Sequence, residues 1–269
     1  MVLESLINPI KAGKKPQFMA VLGFIYASVG LLLGLWIFPS NTGLTMVFLT
    51  TMAGLPLIVN SLKKEAEEDL KIKEKAWLVG EHKDILGIFF FLFLGMMLAY
   101  VTWYVLLPDS LASAVFNEQI KTIKAISSNV QGRATNPSLL RMIILNNFKV
   151  MAFCLLFSLI YGSGALFILT WNASVLGTAI GNAIKVNLSD VWSYFGVVPL
   201  GFGRYMLHGI LEITAYFLAG IAGGIISAGI IRRGKKFKEV LLDSLDLILL
   251  ASVLIIAGAI IETYISMGM

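Results

Sequence analysis

Apolar residues in this chain come in long, nearly unbroken blocks, and the charged residues collect between them. A bilayer core about 30 Å thick is crossed by about 20 apolar residues in a helix. Residues 18–38 meet that length without a single charge. After a turn through Pro39, Ser40, Asn41, Thr42 and Gly43, residues 44–60 form a shorter block whose Pro56 predicts a kink. Residues 61–84 alternate in sign, as in Lys63, Lys64, Glu65, Glu67, Glu68, Asp69 and Lys71, and read as a helical, water-facing connector. Residues 85–107 are again a span, closed by Pro108.

The longest polar stretch, 109–141, carries Phe116, Ile120, Ile123 and Ile126 at helical spacing before a loop with Ser127, Ser128, Gly132 and Pro137. This predicts a short amphipathic helix lying at the membrane surface. Residues 143–184 are almost continuously apolar and break only near Gly162, Ser163 and Gly164. They accommodate two tightly connected helices, either spanning or re-entrant. A second connector over 185–199 leads to a span over about 205–231, and the last span is 247–265. The expected fold is all-α: a polytopic membrane bundle of six to seven spanning or embedded helices. Three parts are expected: 1–108 with three spans and the charged connector, 109–140 outside the membrane, and 141–269 with about four helices.

The composition agrees with this pattern. Of 269 residues, 58% are hydrophobic and 14% charged, whereas soluble domains are about half apolar and a quarter charged. Lys and Arg concentrate in the N-terminal tail, in 61–84 and after Ile231, which together hold 14 of the 21. The positive-inside rule then places the N-terminus in the cytoplasm and, for seven crossings, the C-terminus outside; a re-entrant 143–184 would reverse the second assignment. The net charge of +5 sits in short clusters beside apolar blocks, where anionic lipid attracts it, and no soluble module is present to bind nucleic acid. The apolar block after Lys11, Lys14 and Lys15 is too long for a signal peptide.

The candidate chemistry lies at membrane depth, where ionisable groups are costly and face a partner or a cavity. His208 and Glu212 are four residues apart on one helix face, continued by the small residues Ala215, Ala219 and Gly223. Two readings compete: a structural pin between helices, or a metal or proton site. A metal wants three or four protein ligands, yet His82 stands in a connector and Cys154 is isolated. No metal, cofactor or catalytic set is therefore expected. Cys154, the single cysteine, forms no disulfide within the chain and packs as a small hydrophobe. Asn147 and Asn172 are the expected partners of the pair, and Asn146 and Asn182 further polar packing residues. Glu262 and Lys149 lie where a side chain reaches the interface. The pairs Gly30 and Gly34, Gly177 and Gly181, and Gly220 and Gly224 predict close helix packing in a compact bundle or a homodimer. Asn187, Leu188 and Ser189 match a glycosylation acceptor, a frequent chance pattern.

Asn146 and Asn147 opening a helix, Trp171, Asn172 and Gly177 in the next, and the run His208, Gly209, Ile210, Leu211, Glu212 together resemble the stage II sporulation protein M family of integral membrane proteins, over about 141–265. The family usually has a proline before the histidine; here Leu207 stands there and Pro199 lies upstream. The resemblance implies a membrane protein that, in spore-forming bacteria, holds cell-wall hydrolases together at the septal membrane during engulfment; members also occur in organisms that never sporulate. The functional expectation is a non-enzymatic scaffold in the cell membrane whose partners are the lipid bilayer and other membrane or envelope proteins. A transport component with a polar or proton path at His208 and Glu212 is the alternative, and an intramembrane enzyme the third.

Overall fold

The computed structural model describes residues 15–69, 82–131, 136–187, 193–232 and 237–267. They fold into helices, with no strand among them: α1 (Phe18–Ile37), α2 (Thr42–Asp69), α3 (Lys83–Leu106), α4 (Asp109–Val115), α5 (Asn117–Gln131), α6 (Asn136–Tyr161), α7 (Ala165–Asn187), α8 (Ser193–Arg232) and α9 (Phe237–Met267). Seven of these are long and apolar enough to cross a membrane. The chain is thus an all-α, multi-pass membrane bundle.

The stretch read as 143–184 resolves into two full-length helices. Gly162 has φ +74°, a left-handed conformation that only glycine adopts without strain, and it turns the chain between α6 and α7. Both helices cross, because α7 runs parallel to α3. Thr170 meets Met96, Gly177 lies against Tyr100, Gly181 against Tyr104, and the Lys185 ammonium donates to the Leu107 carbonyl at 2.6 Å, so the numbers rise together. With α3 and α7 running the same way, the single membrane-length helix between them, α6, traverses in the opposite sense.

Burial ranks the helices. In α8 every residue from Ala215 to Ile225 is buried, and α8 packs on α9, α6, α7, α2 and α3. Such a position in lipid demands small side chains, since close backbone approach supplies the attraction that water would supply elsewhere. A Cβ on Gly223 would stand 2.5 Å from the Leu155 carbonyl oxygen, and one on Gly220 2.8 Å from the Cβ of Ala165. Bulk enters on the α3 side, where Phe217 packs against Phe89 and Phe93 with ring centroids 5.7 and 5.9 Å apart. Helices α1, α6 and α9 present most of their surface outward, as lipid-facing helices do.

Several boundaries differ from expectation, among them the starts of α6 at Asn136 and of α9 at Phe237, before the expected 141 and 247. Helix α2 continues through Pro56 and past 60 to Asp69, so the charged connector starts as an extension of a span. Its Glu65 is buried and meets Nδ1 of the buried His82 at 2.6 Å; the two ends of the connector are therefore packed, not water-facing, and 70–81 lie outside the described residues. Helix α8 starts at Ser193, within the expected connector. The amphipathic segment packs on the end of the bundle: Phe116, fully buried, sits edge-on to Tyr104 and Tyr100, with centroids 5.3 and 6.4 Å away. Gln119, also fully buried, donates to the Gly43 carbonyl at 3.0 Å and to the Ser174 hydroxyl at 3.2 Å. Helices α4 and α5 thus cap one end of the bundle, and Glu65 and His82 mark the other.

Candidate functional site: a polar junction of three helices

Near the capped end, α6, α8 and α9 bring together Asn147, Glu212, Tyr216 and Glu262. Asn147 is buried, at 6% exposure, and its amide is used at both ends: Nδ2 donates to Glu212 Oε1 at 2.5 Å, and Oδ1 accepts the Tyr216 hydroxyl at 2.7 Å. The two bonds cross between α6 and α8 and hold their register. On the third helix, the Glu262 carboxyl lies beside that of Glu212. Two carboxyl groups brought together at membrane depth repel when both are charged, so this side of the junction is its most costly part.

Local geometry explains the selection. Consecutive residues of a helix point about 100° apart, so of Asn146 and Asn147 one turns inward and the other away from the protein; Asn146 is exposed. Glu212 and Tyr216 are four residues apart and share a face. Asn172 does not reach the junction, since its amide donates to Ile168 O in its own helix at 2.8 Å. The side chain of His208 lies outside the described residues, as do those of Asn187 and Ser189. Gly209 is half-buried, and no described atom lies within 4 Å of where its Cβ would be. Lys149 is exposed, and Cys154 is fully buried and free. Asn182 accepts a hydrogen bond from the Tyr104 hydroxyl at 3.2 Å.

Sequence reasoning left out Tyr216 and gave Glu262 another place, at the interface. Tyr216 continues the four-residue spacing of His208 and Glu212 and was legible in principle. Glu262 stands out as an ionisable residue at membrane depth, but its neighbour Glu212 is 50 positions away in the chain and only the packing of α8 on α9 sets that register.

The expected glycine pairs are spent inside one chain. Added Cβ atoms on Gly177 and Gly181 would lie 2.8 and 2.9 Å from the Cβ atoms of Tyr100 and Tyr104, one on Gly224 2.9 Å from the Gly162 carbonyl, and one on Gly30 2.5 Å from the Thr50 hydroxyl. These faces therefore carry no argument for a homodimer. Among the described residues, no three of His, Cys, Asp and Glu gather closely enough to hold a metal ion.

No curated protein and no solved structure matches the chain. The family model described as stage II sporulation protein M matches residues 86–267, a longer stretch than the 141–265 expected from the motifs, taking in nearly all of α3 together with α4 and α5. With most of its length matched, the chain belongs to the stage II sporulation protein M family.

Proposed function

We propose that this chain is a non-enzymatic scaffold of the cell membrane that organises other membrane or envelope proteins, with its N-terminus in the cytoplasm. The observation that carries the reading is the junction itself: the Asn147 amide is consumed on both sides by Glu212 and Tyr216, so the polar residues at membrane depth are used to lock helices. What the family resemblance implies, a membrane protein that holds envelope enzymes in place, points the same way. The decisive experiment is photocrosslinking of the full chain in its native membrane, followed by localisation of the captured envelope protein in cells lacking this chain. The scaffold reading expects that protein to lose its membrane position and regain it when the chain is restored. Unchanged localisation of every captured protein would refute it.

The carboxyl pair of Glu212 and Glu262 favours a second reading, a transport component that carries a proton through the bundle. Glu212→Gln separates the two, because an amide keeps the hydrogen bonds but cannot exchange a proton at neutral pH. A scaffold keeps its cellular function with this variant. A proton carrier keeps its fold and loses its function.

A further inference from the structure

The end of the bundle opposite the polar junction carries a cleft of about 120 Å³, bordered by Leu62 and Lys63 of α2, Gly162 of the α6–α7 turn, and Gly224, Ser227 and Ala228 of α8. Its walls are sorted by polarity. Lys63 is exposed, and its ammonium has no ion pair among the described residues; Ser227 is buried, and its hydroxyl has no hydrogen bond among them. Ser163, next to Gly162 in the turn, is 1% exposed, and its hydroxyl is also without a partner. One ammonium and one hydroxyl, those of Lys63 and Ser227, therefore border a single hole, with the buried Ser163 hydroxyl behind the turn. The carboxylate two residues further along α2, Glu65, is engaged by His82 and does not neutralise Lys63. Leu62 and Ala228 supply an apolar flank.

Depth narrows the ligand. The membrane-crossing stretches of α2, α6 and α8 end at Glu65, Tyr161 and Ile230, so the cleft lies at the edge of the hydrocarbon, where lipid phosphates sit. Basic pockets between helices at this depth suit anionic headgroups, and a lysine acts on a phosphate as a point charge. We propose that this cleft binds the phosphate of an anionic phospholipid, with Lys63 as counter-charge, Ser227 as hydrogen-bond donor, and Leu62 and Ala228 against the first carbons of the lipid.

Native mass spectrometry of the full chain, released from mixed phosphatidylglycerol and phosphatidylcholine, tests this. Phosphatidylglycerol is expected to stay bound, Lys63→Ala to lower the bound fraction about five-fold, and Ser227→Ala to lower it less. Lys238→Ala, an exposed lysine near the same end but outside the cleft, should change nothing. Ala228→Leu, which fills the hole, should lower retention as Lys63→Ala does. Retention that survives Lys63→Ala or Ala228→Leu, or that falls equally with Lys238→Ala, overturns the site. Inorganic phosphate that displaces the lipid at equal concentration overturns the assignment to lipid.

Discussion

Where α1, α2 and α3 meet, the helices touch through backbone: a Cβ on Gly95 would fall on the Ala20 carbonyl, one on Gly23 on the Leu92 carbonyl, and one on Gly30 beside Thr50 and Met46. The polar contacts there are neutral, with the Tyr100 hydroxyl donating to Thr50 at 3.1 Å and Thr50 donating to the Met46 carbonyl at 2.7 Å. Where α6, α8 and α9 meet, the helices touch through Asn147, Glu212, Tyr216 and Glu262, two of them carboxyls. The difference separates two kinds of tolerance. A junction made of backbone contacts accepts no added atom but survives the loss of one hydroxyl. A junction made of polar side chains accepts an isosteric exchange but not an apolar one, because hydrocarbon offers the stranded partner nothing.

The largest effect is expected at the first junction. Gly95→Leu places its first carbon on a carbonyl oxygen of α1, and backbone cannot swing aside as a side chain does. The cost should exceed the 1–3 kcal/mol, about, that overpacking usually brings. Thermal unfolding in detergent should show loss of the folded bundle. A Gly95→Leu protein with an unchanged melting curve would remove the claim that α1 and α3 are held by backbone proximity.

At the second junction Glu212→Leu leaves the buried Asn147 amide without its acceptor, a loss of about 1–3 kcal/mol, whereas Glu212→Gln should melt close to the unaltered protein. Equal destabilisation by both substitutions would mean that the charge, and not the hydrogen bond, holds the junction. Tyr216→Phe removes one hydrogen bond and no packing volume; such bonds between membrane helices are worth about 0.6 kcal/mol on average. The expected shift in melting temperature is therefore small. A larger one would place Tyr216 at the centre of the pin instead of its margin.

The contrast also explains what could be read from the sequence. Every span was legible, because block length and charge exclusion are local properties of the chain: the predicted 18–38 and 85–107 differ from α1 and α3 only at their ends. Boundaries inside charged stretches were not, since α2 continues to Asp69 through lysines and glutamates that can be solvated in a helix or out of one. The amphipathic spacing of Phe116 and Ile120 was read correctly as a helix, but nothing local distinguishes a lipid surface from the end of a bundle as the thing it covers. For the junction, Asn147 and Glu212 stood out by their residue types, while Asn172 has the same type and bonds its own helix; the choice between them is made by packing register, which the sequence does not display.

The smallest expected change in stability carries the sharpest functional contrast. Gly209 belongs to the same run as Glu212, but unlike Gly23, Gly95 or Gly223 it meets no described atom within 4 Å of an added Cβ. Internal packing among the described residues therefore gives no steric reason for a glycine here, and glycine costs a helix about 1 kcal/mol relative to alanine. Gly209→Ala should leave the melting temperature unchanged or slightly higher. If a partner helix lies along this face, the added methyl group obstructs it, and the variant should be stable and fully inserted yet fail to complement cells lacking the chain. Intact complementation together with intact stability would show that the open side of Gly209 serves no partner, and would confine the importance of this helix face to the pin that begins at Glu212.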